Sequence, residues 1–496
     1  ALDVPGAAFV LVKEGEVFFS KGYGYADVER QIPVDPQSTV FRVGSTSKVF
    51  TATAVMQLVE ENKIDLNADV NRYLTRFQIP DTFPEPVTMA HLLTHTAGFD
   101  DKVLGVFTEN VEGLDPLGEY LANEMPPRVM PPGEVTSYSN LGMALAGYIV
   151  ETVSGIPFEQ YVAEQILQPL GMEQSSFAQP LPQPLAAQMA VPYPRNLESG
   201  SMLYTSIAPA GMLSTTAHDM ARFLLAHLQN GRYNGARILE QETARQMHQR
   251  QFTNHEDIAG WAYGFTERTE NGQRVLDHGG ADPTGYGSML VLLPEQNLGF
   301  FAVANTRFQD ELLMELPRAF LDRYYPEQEP VADGRMPLQG SAARASRVTG
   351  TYLTNRHARR TIAKVALLSQ PPVRVQLAEE TSGELVVTGL ESGDTQRPGS
   401  WVEIEPFLFE HSGTGARIAF RQDEDGQMTH LFARGHTPGT FDKAAWYQTP
   451  VFHQVVLAVC VLIFGSVVVG WPLAALIRRM SEQERAFDLA VKWARG

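Results

Sequence analysis

At 496 residues the chain is longer than one ordinary domain, and 44% hydrophobic with 19% charged residues suits a folded protein rather than a disordered one. The formal net charge of -18 argues against a nucleic-acid partner, because a phosphate backbone needs a basic face. A single cysteine, Cys460, excludes an intrachain disulfide and a cysteine-based metal site.

The chain opens at Ala1 with neither Met nor a leader and enters strand patterning almost at once. Residues upstream of Ala1, and beyond the charged stretch that ends at Gly496, are therefore expected in an intact exported protein. Two β-rich runs, 7–13 and 17–25, are separated by Glu-Gly-Glu and predict a hairpin. After Asp35-Pro36, Val49, Ala52, Met56 and Val59 recur on one face of a helix. Most of the chain from there to about residue 230 has helical patterning. One helix is expected over 140–153, stopped by Gly155, with Pro157 opening the next. Another covers 218–229 and stops at Asn230-Gly231.

Strand character returns at 261–268, 274–276, 288–293 and 299–304, followed by a helix over 310–324. Strands, a long helical insertion and strands again predict an α+β fold, its antiparallel sheet assembled from both ends of the segment. Residues 326–345 are rich in Pro, Gly and Ala and suit a linker. Short alternating runs at 373–377, 384–387 and 401–404 predict a small all-β domain over 346–445, of barrel type.

Residues 455–477 carry no charge, and about 20 helical residues cross a bilayer core. Trp446 and Tyr447 precede the run as interfacial aromatics. Arg478, Arg479, Arg485, Lys492 and Arg495 follow it, whereas only Arg434 and Lys443 lie shortly before. A transmembrane helix over 453–477 is expected, with 478–496 cytoplasmic and the catalytic part outside the cytoplasm.

Three short motifs carry chemistry. In Ser45-Thr46-Ser47-Lys48 the residues three apart share a helical face, so the lysine reaches the serine Oγ. Serine needs a base to become a nucleophile, and burial lowers a lysine toward that role. Free N–H groups at the helix start suit a developing oxyanion. Tyr138-Ser139-Asn140 opens a helix and offers a phenol for proton transfer and an amide for holding substrate. His278-Gly279-Gly280 directly follows a strand, and its glycines let the backbone approach a ligand, with the Ala281 N–H as a second oxyanion donor. Each motif alone is weak: a Ser-x-x-Lys spacing arises by chance in a chain this long, and taken singly the other two read more readily as a buried Tyr with an N-cap Asn and as a histidine in a glycine turn. No serine sits in a G-x-S-x-G elbow, and His91 and His95, four residues apart, do not make a zinc-protease motif: the residue after His91 is Leu92, not the glutamate such a motif needs.

Together, in this order, the motifs resemble the serine β-lactamase and D,D-peptidase superfamily: class C β-lactamases, low-molecular-weight D,D-peptidases, and related esterases and D-aminopeptidases. Phe41 to Lys48, Leu92 to Gly98 and Pro169-Leu-Gly-Met172 look like signatures of the same family, and the resemblance covers about residues 5–325. It implies a hydrolase domain over 1–325 in which Ser45 forms an acyl-enzyme. Lys48 and Tyr138 would share the acid/base work. Asn140, His278, Gly279, Gly280 and Ala281 would shape the substrate and oxyanion site, the Ser45 and Ala281 N–H groups being the donors. No cofactor and no metal is implied; the partners are a small-molecule or peptide substrate and a membrane. Residues 346–445 resemble, more loosely, the lipocalin-like domains appended to some relatives. Penicillinases of this kind carry Lys-Thr/Ser-Gly where His278-Gly279-Gly280 stands, so the clamp for a substrate carboxylate is weakened. Ester or amide turnover with poor β-lactam hydrolysis is the expectation, and a membrane-tethered sensor that acylates without turnover is the alternative.

Overall fold

The first hairpin joins β1 (Gly6–Lys13) to β2 (Glu16–Asp27) through Glu14-Gly15, both at positive φ (54° and 90°). That pair of left-handed residues gives the tight connection whose twist matches the strands. The computed structural model describes residues 4–102, 104–194, 198–306, 312–326, 338–379, 382–390, 399–433 and 439–495.

Further along come β3 (Ile32–Pro33), α1 (Ser47–Glu60), α2 (Asn140–Ser154) and α3 (Ala217–Leu228). The returning strands are β4 (Gly260–Trp261), β5 (Thr266–Glu270), β6 (Gln273–Asp282), β7 (Tyr286–Leu293) and β8 (Leu298–Ala304). They form an eight-stranded antiparallel sheet in the order β3-β2-β1-β8-β7-β6-β5-β4. Both ends of the segment meet at its centre, where Ala7 of β1 pairs with Ala304 of β8. Alternation along the strands sends Val10, Leu290, Leu292 and Phe301 into the helical layer. Leu11, Val291 and Phe300 point to the opposite face, against Leu321 of α4 (Leu312–Tyr324).

The pattern on α1 predicts one buried face, but every residue from Ser47 to Leu58 is buried. The helix runs through the middle of the helical layer, and the side-chain donors of Thr51, Thr53 and Gln57 are matched individually. Thr51 Oγ1 donates to the Pro209 carbonyl at 2.7 Å, Thr53 Oγ1 to Val49 at 2.8 Å and Gln57 Nε2 to Ile238 at 2.8 Å. Buried polar groups without such partners would each cost about 1–3 kcal/mol. Helix α2 ends at Gly155 in the left-handed conformation (φ 75°), as the sequence leads one to expect.

Most of the stretch expected as a linker lies outside the described residues; its end carries α5 (Ser341–Val348). Beyond it, β9 (Gly350–Thr354), β10 (Val373–Leu377), β11 (Leu385–Thr388) and β12 (Trp401–Glu405) are followed by β13 (Leu408–His411), β14 (Arg417–Gln422), β15 (Met428–Ala433) and β16 (Gly439–Ala444). They close into an eight-stranded barrel around Tyr352, Trp401, Phe409 and Leu431. Sheet, helical layer and barrel belong to one compact unit. Leu408, Ala419 and Phe432, on the barrel's outside, bury against Val135 and Ile258. Asn254 Nδ2 donates to Thr440 Oγ1 at 3.0 Å and Asn355 Nδ2 to the Thr136 carbonyl at 2.7 Å across the same seam.

A second unit holds residues 365–372 and 444–496. Its α6 (Pro450–Ala494) is one continuous helix of 45 residues. Its most apolar window reaches a mean hydropathy of 2.5 with none of it buried, so it is long and apolar enough to cross a membrane.

Candidate active site

Ser45 lies on a tight turn, Gly44–Thr46, that runs directly into α1. Gly44 makes the turn possible: its φ is +52°, and a Cβ there would stand 2.7 Å from the Ala281 carbonyl oxygen. The turn is fastened to the sheet from several sides. Ser47 Oγ donates to the Gly44 carbonyl at 2.6 Å, and Ser288 Oγ to Val43 at 2.7 Å. Thr46 Oγ1 reaches the His278 carbonyl at 3.2 Å. Arg42 and Asp282 form a buried ion pair at 3.4 Å, which links the residues just before Ser45 to those just after Ala281.

One helical step onward, Lys48 is fully buried, and its Nζ donates to Ser45 Oγ at 2.9 Å and to the Ala210 carbonyl at 2.5 Å. Burial, with the Arg356 charge adding to it, holds the Lys48 ammonium well below its usual range. Neutral amine is thereby favoured next to the serine.

Tyr138 comes from the loop before α2, where the Ser139 side chain caps the helix by accepting from Gly142 N at 3.0 Å. Its ring centroid lies 5.0 Å from Lys48 Nζ. Burial raises the phenol to about 12, against the opposing pull of Ser45 and Arg356. The tyrosine therefore keeps its proton at neutral pH. Asn140, Ser45 and Ala281 line a small cavity of about 50 Å³ together with Phe107 and Ile207.

The His278-Gly279-Gly280 run does not follow a strand, as expected, but lies inside β6, paired with Leu290, Met289 and Ser288 of β7. Strand pairing continues to Asp282 because both glycines keep extended backbone and the ladder supplies their hydrogen bonds. The two glycines differ in what they tolerate. A Cβ on Gly280 would sit 2.0 Å from the Val43 carbonyl oxygen and 3.1 Å from Ser45 N, whereas one on Gly279 would make ordinary contacts with the Met289 methyl at 3.4 Å and the Ser288 carbonyl oxygen at 3.9 Å. Gly280 thus brings β6 against the serine turn, with the Ser45 and Ala281 backbones on either side of the contact. Burial, reinforced by Lys48, pushes His278 down to about 3, so the imidazole is neutral; its Nδ1 pairs with the Gly279 carbonyl at 2.7 Å.

All eight residues singled out in the sequence come together here. The sequence pattern did not point to the aromatic packing around Tyr138: His95 at 4.3 Å between ring centroids and Trp261 at 6.1 Å. His95 Nδ1 accepts from Ser139 N at 3.2 Å and so fixes the loop that carries the tyrosine. His91, its neighbour four residues earlier, instead accepts from Thr88 N at 3.2 Å in the cap of a short helix. Nor did the sequence point to Arg356, at the barrel's edge, whose guanidinium carbon lies 4.7 Å from the Tyr138 ring centroid.

The Beta-lactamase family model matches residues 1–322. Penicillin-binding protein 4 of Amycolatopsis lactamdurans is 30% identical over 368 residues, covering 69% of this chain and 93% of that protein. Protein flp of Staphylococcus aureus (strain N315) is 26% identical over 313 residues, 61% of this chain; the match spans 60% of that relative's own length. Among solved structures, the octameric penicillin-binding protein homologue from Pyrococcus abyssi aligns with a TM-score of 0.56 and 23% identity over 88% of this chain and 96% of that one, a likeness of fold.

Proposed function

The chain belongs to the Beta-lactamase family, and from that premise we propose that it is a membrane-anchored serine hydrolase acting on ester or amide substrates through an acyl-enzyme on Ser45. The observation that carries this reading is the wholly buried Lys48 Nζ, 2.9 Å from Ser45 Oγ and held toward its neutral form. Lys48 takes the Ser45 proton as Oγ attacks the carbonyl carbon. The oxyanion forms between the Ser45 and Ala281 N–H groups. Tyr138, which retains its proton, passes it to the leaving group and recovers one from Lys48. Water then attacks the acyl-enzyme and releases the acid, with the same groups serving in reverse. Asn140 holds the substrate beside the lysine.

The neutral His278 and the bare Gly279 support weak β-lactam hydrolysis, because neither offers a cation or hydroxyl for a carboxylate. Esters and amides, including peptides of D-amino acids, are the proposed substrates. The same reading divides the chain into a hydrolase domain (1–325), linker (326–345), β domain (346–445), membrane span (453–477) and juxtamembrane segment (478–496). Arg478, Arg479 and Arg485 after the apolar run support a cytoplasmic C-terminus and an extracytoplasmic catalytic domain.

The test is time-resolved p-nitrophenol release from a short p-nitrophenyl ester by the full chain and its Ser45→Ala form. Sustained turnover that disappears in the variant is expected. One equivalent released and no more would replace the hydrolase with an acylating sensor, and equal release by both forms would remove Ser45 from the mechanism.

A further inference from the structure

The connection between β9 and β10 carries a short 3-10 helix, Ile362–Leu368, with the sequence Ile-Ala-Lys-Val-Ala-Leu-Leu. Side chains three apart eclipse one another on such a helix, so Ile362 and Val365 share a face. Neither packs on the protein. Ile362 is 76% exposed, more than any other large hydrophobic side chain described before α6, and Val365 is 55% exposed. Lys364, between them, is exposed as well. A lone exposed aliphatic is ordinary on a folded surface. This pair differs in what stands beside it. From Val365 onward the segment belongs to the same unit as α6, and Gln454 Nε2 of that helix donates to the Leu368 carbonyl at 2.8 Å. Gln454 is the last residue before the uncharged run 455–477. The bond therefore fixes the end of the short helix at the level where α6 becomes apolar. Trp446 and Tyr447, both exposed, mark the same end of α6, and the Trp446 ring packs on Phe452 with 5.1 Å between centroids.

We propose that the short helix 362–368 is a second membrane contact, laying Ile362 and Val365 into the headgroup layer of the bilayer that α6 enters. Aliphatic side chains flanking a lysine suit that layer, where hydrocarbon meets phosphate and a long cationic side chain reaches outward. Two such side chains carry far less apolar surface than one acyl chain, which is itself only a marginal anchor, so they would not hold the protein on a bilayer unaided. Tethered beside α6 they meet lipid at a high local concentration and need little affinity of their own. This inference rests on the membrane-anchored reading above.

Its test uses the full chain in vesicles of phosphatidylcholine and phosphatidylglycerol. Cys460→Ser removes the native thiol, and one of Ile362→Cys, Val365→Cys or Val461→Cys carries a nitrobenzoxadiazole label. Lipids spin-labelled near the headgroup or deep in the acyl chain read depth, and iodide reads access to water. Labels at 362 and 365 are expected to lose emission to the headgroup-proximal spin label more than to the deep one, and to resist iodide. The label at 461, inside the apolar run, should be quenched most by the deep spin label. Labels at 362 and 365 that iodide quenches and neither lipid does, with 461 still quenched by lipid, would overturn the proposal. Resistance to iodide without quenching by lipid would overturn it too, and would put protein, such as a second copy of the chain, over the short helix. A label at 461 that no spin-labelled lipid quenches would instead overturn the membrane-anchored reading itself.

Discussion

At the scale of single residues, the buried lysine sets the pH behaviour. Lys48 must be neutral to accept the Ser45 proton, and its pKa is lowered by burial, so kcat/KM should rise with pH along an acid limb as the ammonium is lost. Tyr138 must keep its proton and is raised to about 12, so no matching fall is expected at moderately alkaline pH. A bell centred near neutrality would contradict both assignments. Stability follows the same sign. Between the folded value of Lys48 and the usual 10.5, the unfolded chain binds the extra proton, so this contribution grows as pH rises and is lost as pH falls. Lys48→Met should abolish turnover yet raise stability by about 1 kcal/mol, more at acid than at alkaline pH, as measured by denaturant unfolding. Ser45 and Lys48 were legible in the sequence because three residues on a helix are neighbours by geometry. Arg356 and Trp261 were not, since only tertiary docking brings them to Tyr138.

At the scale of elements, β6 is where two adjacent glycines part company. Gly280→Ala places a methyl 2.0 Å from a backbone oxygen and beside Ser45 N, so the strand or the serine turn must move. Turnover should fall by about 10²- to 10³-fold, the loss of an oxyanion donor, and stability by about 1–3 kcal/mol. Gly279→Ala meets a flexible methionine methyl at 3.4 Å and should leave the melting temperature nearly where it was. Similar losses of stability in the two variants would refute the close approach. Sequence alone ended this strand at Leu276, because paired glycines read as a turn. Pairing with β7 carries it to Asp282. For α1 the opposite happened: its apolar residues marked a face, but its threonines and Gln57 hid the burial of the others until their carbonyl partners were known.

At the scale of the whole molecule, the apolar run 455–477 was plain in the sequence, as were the meeting of both ends of the hydrolase segment in one sheet and the barrel's short alternating strands. A chain ended after Ala444 should lose its association with phospholipid vesicles in flotation while keeping ester turnover; vesicle binding undiminished without α6 would remove it as the anchor. The meeting of β1 with β8 has a consequence in time. The register puts Ala7 opposite Ala304, and a ribosome adding about 5–20 residues per second needs about 15–60 s to travel between them. Through that interval the first hairpin exists without the strand that covers its inner edge. The edge of β1 that β8 will cover is therefore open to pairing with another chain for most of the synthesis of the sheet, a hazard that the late strand removes.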